Sequence, residues 1–293
     1  MANQTFLEKV GARSVLLGDG AMGTELQRRG FVVSGCMESA NVINPELVQG
    51  IYCDYYNAGS QIVETNSFGA NRIRLQRYGL SQKIVELNRL AVELAKAVRP
   101  KGCFIGGSIG PTGSILEPFG DLKLRIAYDA FAEQAEALAG GGADVIYVET
   151  MSALDEVEVV LRAVKERTGL PTIVTMVFKA GRTGLRTSFG VDVVTAVQKL
   201  SEFGADVIGA NCGDPEDIIV AIREMRPLTA KPIIAQPNAG IPELVDGTPV
   251  YRQTPEALQF CIEQLLKTGV NIIGGCCGVG PAHIRAMRQL MLS

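Results

Sequence analysis

Apolar, β-branched runs recur along the chain, and stretches with helical spacing of apolar and polar positions lie between them. The runs near 14–18, 61–66, 103–108, 144–149, 172–178, 206–211, 232–236 and 270–275 read as strands. The stretches near 45–58, 83–97, 125–140, 153–168, 191–204, 214–226, 254–267 and 281–290 read as amphipathic helices. Parallel neighbours need a crossover between them, so this alternation implies a parallel sheet. Eight units predict its closure into a (β/α)8 TIM barrel of the α/β class. Ala58-Gly59-Ser60, Gly141-Gly142-Ala143-Asp144, Phe203-Gly204-Ala205-Asp206 and Thr268-Gly269-Val270-Asn271 precede four strands, with glycine where a helix end turns left-handed. No linker, low-complexity segment or composition break interrupts the pattern, so residues 1–293 read as a single domain.

Polar and glycine-rich residues gather where the strands end. The exits are Gly18-Asp19-Gly20-Ala21-Met22-Gly23-Thr24-Glu25, Glu64-Thr65-Asn66-Ser67-Phe68-Gly69-Ala70-Asn71, Gly107-Ser108-Ile109-Gly110-Pro111-Thr112-Gly113, Glu149-Thr150-Met151-Ser152, Asn211-Cys212-Gly213, Gln236-Pro237-Asn238-Ala239-Gly240 and Gly274-Gly275-Cys276-Cys277-Gly278. A barrel carries its active site at this face. The remaining exit, Lys179 to Gly190, is long and basic, which suits a mobile or partner-contacting loop.

Composition narrows the partners. A net charge of -3 without a basic run argues against nucleic acid or an anionic membrane surface. No window has the ~18 apolar residues of a membrane span. The N-terminal residues Met1 to Lys9 carry no basic segment leading into an apolar one, so a cytoplasmic protein is expected. The 7 cysteines are odd in number and lack the spacing of a disulfide framework, which suggests reduced thiols, some of them metal ligands. A single histidine, His283, rules out polyhistidine metal sites and falls in the first turn of a helix.

Cys276 and Cys277 follow the apolar run Val270 to Ile273, and Cys212 follows another. A barrel mouth could bring the three sulfurs onto one ion. Three thiolates leave one tetrahedral zinc position open, as in catalytic rather than structural zinc sites. Spacing leaves a plainer alternative, three buried thiols, and that alternative is the better one for Cys36, Cys53, Cys103 and Cys261. Asp19 and Glu149, also at strand exits, could hold a substrate ammonium group, and the backbone at Gly20 to Gly23 could take a carboxylate. Asn66 and Asn238 are further candidate donors.

Two patterns point elsewhere. Gly18-x-Gly20-x-x-Gly23, with Glu38 at a passable distance, matches a dinucleotide fingerprint and keeps a nucleotide-dependent oxidoreductase as an alternative. Gly106-Gly107-Ser108-Ile109-Gly110 fits a nucleophile elbow, but Pro111 and Gly113 are a poor start for the helix it requires.

Taken together, Asp19 to Glu25, Glu64 to Ala70, Gly110 to Gly113, Asn211-Cys212, Pro237 to Gly240 and Gly274 to Gly278 resemble the zinc-dependent homocysteine S-methyltransferase family. The likeness runs from Leu16 to about Met287, and the first motif is most similar to the homocysteine-binding module of cobalamin-dependent methionine synthase. The resemblance implies a methyltransferase whose zinc is held by Cys212, Cys276 and Cys277 and activates the homocysteine thiol as a zinc-bound thiolate, giving methionine. It implies that the substrate's amino group meets Asp19 or Glu149 and its carboxylate the backbone near Gly20 and Ala21. The chain has no Asp-x-His-x-x-Gly corrinoid motif. The methyl group is therefore expected from a corrinoid (cobalamin) on a separate protein, with S-methylmethionine, S-adenosylmethionine or betaine as the alternative. The shorter Gly213-Asp214-Pro215-Glu216 turn departs from the family pattern beside the zinc ligands, which leaves the acceptor open.

Overall fold

The computed structural model describes residues 5–12, 14–31, 35–245 and 248–292. Its strands are β1 Leu16–Leu17, β2 Ile62–Glu64, β3 Phe104–Ile109, β4 Val145–Met151, β5 Thr172–Met176, β6 Lys179–Gly181, β7 Gly184–Arg186, β8 Val207–Asn211, β9 Ile233–Gln236, β10 Glu243–Val245, β11 Thr248–Val250 and β12 Ile272–Ile273. Eight of them form one parallel sheet in the order β1-β12-β9-β8-β5-β4-β3-β2, the order of a TIM barrel. Between the end strands, closure is made by residue 61 rather than by strand pairing. Gln61 N–H donates to Leu17 O at 2.7 Å, and Leu17 N–H donates to the Gln61 side chain at 3.2 Å.

The eight expected helices are present, from Pro45–Ala58 to Pro281–Leu292. Their ends follow from local chemistry. Asn44 caps Pro45–Ala58 by accepting from Leu47 N–H, proline stands in its first turn, and Gly59 closes it at φ +115°. Thr254, Pro255 and Gly269 repeat the arrangement around Pro255–Thr268. The basic loop after β5 is organised as an antiparallel hairpin, β6 with β7, and β10 pairs with β11 after β9.

The core has two main parts. One lies between the barrel wall and the helices. The other fills the barrel near its N-terminal end, where Leu16, Ile62, Val145, Tyr147, Ile173, Val207, Ile234 and Ile272 meet Phe6 and Val10 of the short helix Phe6–Val10. That helix plugs the floor, with Phe6 edge-on to Phe104 at 5.5 Å between ring centroids. Replacing Phe6 by alanine is expected to cost about 3 kcal/mol, because the cavity left under the strands has no side chain free to fill it. Chemical denaturation of the variant checks this. No helix among the described residues is long and apolar enough to cross a membrane.

Candidate metal centre and substrate cavity

The exits of β8 and β12 bring three thiols together. The Cys212 and Cys277 sulfurs stand 3.8 Å apart, those of Cys276 and Cys277 4.0 Å apart, and all three lie within 4.8 Å of one another. Cys212 adopts a left-handed backbone at φ +56°, uncommon for a residue with a Cβ, and this bend turns its thiol toward the pair. Gly275 has no room for a side chain because Val279 packs where its Cβ would be.

The electrostatics of the cluster follow from crowding. Hydrogen bonds from the Cys212 and Cys276 thiols pull Cys277 down to about 3. The same bonds, to Cys212 and then to Cys277, hold Cys276 well above the ordinary thiol range. Without a cation the negative charge therefore concentrates on Cys277. The donor set fits zinc. Thiolates on a tetrahedral zinc, at about 2.3 Å, lie about 3.8 Å from one another, and a divalent cation would stabilise the second and third charges.

Carboxylates lie beside the thiols. Glu149 sits on β4 where the register slips between Val148 and Met151, and Thr150 there has φ +62°. For a β-branched residue this is a strained conformation, and the bulge it belongs to re-aims Glu149 into the barrel mouth. Ser108 Oγ donates to Glu149 Oε1. Asn211 ties the bulge to the metal centre. Its Oδ1 accepts from Thr150 N–H at 3.1 Å, and its Nδ2 lies 2.8 Å from Thr150 Oγ1, 3.4 Å from Glu149 Oε2 and 3.9 Å from Cys276 Sγ.

Glu64, at the end of β2, was not among the site residues expected from the sequence, yet it faces Glu149 across the mouth. Gln236 Nε2 donates to Glu64 Oε1 at 2.5 Å. Burial and then the charge of Glu149 raise Glu64 well above the carboxylate range. Burial raises Glu149 too, against hydrogen bonds from Glu64 and Ser108. A protonated Glu64 donating to an ionised Glu149 satisfies both. Both side chains line the cavity.

The cavity has a volume of about 420 Å³ and is lined by Gly20, Ala21, Glu64, Asn66, Glu149 and the three cysteines, among others. It runs on to Phe68, Arg74 and Tyr78. Asp19 is buried outside its lining, where its Oδ2 accepts from Glu64 N–H at 2.8 Å, and burial pushes its carboxyl upward. Ala21 N–H is committed to Val279 O at 2.9 Å, whereas Gly20 N–H has no partner among the described residues. The Asn66 amide donates to Met37 O and Asn41 Oδ1, bracing the wall. Asn238 lies beside the Cys212 turn, its N–H on Gly213 O at 3.0 Å, without lining the cavity. A second cavity, about 760 Å³, opens at the opposite end near Gln61, Cys103 and Arg288 and holds none of the expected site residues.

The competing patterns dissolve in this geometry. Gly18 and Gly20 pack against Gly274 and Val279 O, so close approach to the thiol loop explains these glycines. The helix after them, Met22–Arg28, is only 7 residues long. Ser108 lies inside β3, and His283 is occupied at both ring nitrogens, accepting from Gly280 N–H at 3.2 Å and meeting Gln253 O at 2.9 Å.

Fold and site together define a TIM barrel with a thiol and carboxylate cluster at the C-terminal ends of its strands. Within that class the chain belongs to the homocysteine S-methyltransferase family, whose model matches residues 16–291. It is 31% identical to methionine synthase of Mycobacterium leprae over 94% of this chain, but spans only 24% of that relative's length. Homocysteine S-methyltransferase of Escherichia coli is 31% identical, with 94% of this chain and 95% of the relative aligned. The metallated form of an Escherichia coli homocysteine methyltransferase superposes with a TM-score of 0.79 at 26% identity, covering 94% of this chain and 96% of that one.

Proposed function

We propose that this barrel, acting as one unit over residues 1–293, transfers a methyl group to the thiol of homocysteine, giving methionine, with zinc held by Cys212, Cys276 and Cys277. The observation that carries the reading is the convergence of three thiols and a buried carboxylate pair in one cavity. Sulfur spacing near a tetrahedral edge and a relative solved in a metallated form support the metal. Zinc held by these three cysteines would supply the Lewis acidity that favours the thiolate form of a substrate thiol at neutral pH.

The chain's own residues do the rest. Glu149 takes the homocysteine ammonium, with Asp19 behind it and Gln236 Oε1, a buried acceptor without a partner among the described residues, beside it. The free Gly20 N–H takes the carboxylate, and Ala21, fixed on Val279, forms the adjoining wall. Asn66 and Asn238 hold the loops that frame the site. His283, committed at both nitrogens, is left out of proton transfer.

Two donors have an observation behind them. A methylated corrinoid on a separate protein would seat over the mouth, where Phe119, Phe189, Ile241 and Leu244 project as exposed apolar tips on the strand-exit loops. A small donor such as S-methylmethionine would enter the cavity itself, which extends past the thiols to Phe68 and Arg74.

The test is metal analysis followed by assay. The purified chain should hold about one zinc per chain. With homocysteine and either a methylated corrinoid protein or a small sulfonium it should yield methionine, read by mass spectrometry. A zinc-free chain that binds NAD, or a zinc-loaded one that makes no methionine with any donor, overturns the reading.

A further inference from the structure

The segment that would hold the amino acid and the loop that carries two thiols are bonded to each other along their length. Gly275 N–H donates to Asp19 O at 2.8 Å and Ala21 N–H to Val279 O at 2.9 Å. Gly278 N–H donates to Thr24 Oγ1 at 3.2 Å, and Arg28 Nη2 donates to Gly278 O at 3.1 Å. The Tyr55 hydroxyl stands 3.0 Å from Ala21 O and 3.1 Å from Val279 O, bridging the two strips. Arg28 is itself held by the largely buried Glu25 carboxylate at 2.8 Å. The two strips pack closely, since a Cβ on Gly20 would overlap Val279 O, and one on Gly280 would come within 2.7 Å of Glu25 Oε1.

Gly278 directly follows Cys277 and has φ +82°, a conformation that leaves the turn after the thiols to be fixed by its hydrogen bonds. Its N–H is taken by Thr24 and its carbonyl by Arg28, so the peptides on both sides are pinned. We infer that Thr24 and Arg28 are positioning residues that clamp the Gly278 turn, setting the Cys276–Cys277 pair against the Gly20–Ala21 segment and coupling metal affinity to occupancy of the amino-acid subsite. The inference rests on the zinc reading above. An amino acid that orders Gly20 and Ala21 orders the thiol loop through these bonds, so part of the entropy cost of gathering three ligands is already met when the metal binds. By linkage the effect runs equally in both directions.

Norvaline separates this coupling from direct ligation, because it keeps the amino-acid group and replaces the thiol by a methyl group. The zinc dissociation constant is measured by competition with a chromophoric chelator, with and without norvaline, for wild type, Thr24→Val, Thr24→Ser and Arg28→Met. In wild type, norvaline is expected to tighten zinc at least ~5-fold, the low end of ordinary coupling. Thr24→Val and Arg28→Met should weaken zinc by about 10–100-fold, the usual cost of losing an outer support, and should lose the norvaline effect. Thr24→Ser keeps the hydroxyl and should retain both. Arg28 reaches the surface, so Arg28→Met serves if Thr24→Val does not fold. Wild-type zinc affinity in the folded variants, or no norvaline effect in wild type at any concentration, overturns the clamp alone. A wild-type chain that takes up no zinc overturns the clamp together with the zinc reading.

Discussion

Replacing Cys276 by serine is expected to weaken zinc binding by about two to three orders of magnitude and to remove methyl transfer with it. Structural zinc sites with four protein ligands bind with roughly 10–16 kcal/mol, so one ligand is worth about 3–4 kcal/mol, and each ~1.4 kcal/mol is a factor of ten. Serine occupies nearly the same space, but its hydroxyl does not ionise near neutral pH and is a harder, weaker donor than a thiolate. Cys212→Ser should behave alike, since its left-handed backbone is independent of the side-chain atom substituted. Cys103→Ser, at the far end of the barrel, should leave zinc untouched. Metal content after washing with chelator decides the matter, and full zinc retention in Cys276→Ser would sink the three-thiol site.

The legible and illegible parts of this chain differ for physical reasons. Barrel strands are buried on both faces, so β3, β4, β5, β8 and β9 show as near-continuous apolar runs and fall within a few residues of their expected places. β1 and β12 are shorter than the runs that announce them. Gly18 and Gly274 leave the ladder early to lie against each other, an approach that depends on both partners at once. Helices shorter than eight residues, among them Phe6–Val10, Met22–Arg28, Ala40–Ile43 and Arg72–Gln76, have too few turns for a period to show. Cysteines at strand exits could be picked out because thiols at such positions have few structural uses. Glu64 could not, although it stood in a quoted motif. Its importance comes from Gln236, 172 residues away, and from Glu149, and only barrel closure brings those side chains to it. Asn211 is similar. As the residue before a cysteine it reads as loop polarity, while in the fold it joins the Glu149 bulge to Cys276.

The carboxylate pair makes the second large effect, and its two members should respond in opposite ways. Glu149 gathers Ser108 Oγ, Asn211 Nδ2 and Thr150 Oγ1 around its oxygens, so the negative charge settles there. Glu64 has Gln236 as its side-chain donor, and burial with the Glu149 charge favours its protonated form. Glu149→Gln removes the charge proposed to meet the substrate ammonium, a buried partner worth about 2–5 kcal/mol. The homocysteine KM should rise between about 30-fold and a few thousand-fold. Glu64→Gln mimics the protonated acid, still donating toward Glu149 and accepting from Gln236, so KM should stay within a few-fold of wild type. Stability should move the other way. The folded-state pKa of Glu64 lies above its unfolded value of 4.5. The folded chain therefore binds the proton more tightly, and its stability is lost as pH rises from the unfolded value through the folded one. An amide does not titrate, so Glu64→Gln should be the more stable protein at pH 7, with a higher Tm, and the gain should shrink toward pH 4.5. Thermal unfolding at several pH values, beside steady-state kinetics on both variants, checks the assignment. Equal losses of homocysteine affinity in the two variants would mean that the proton is not held on Glu64.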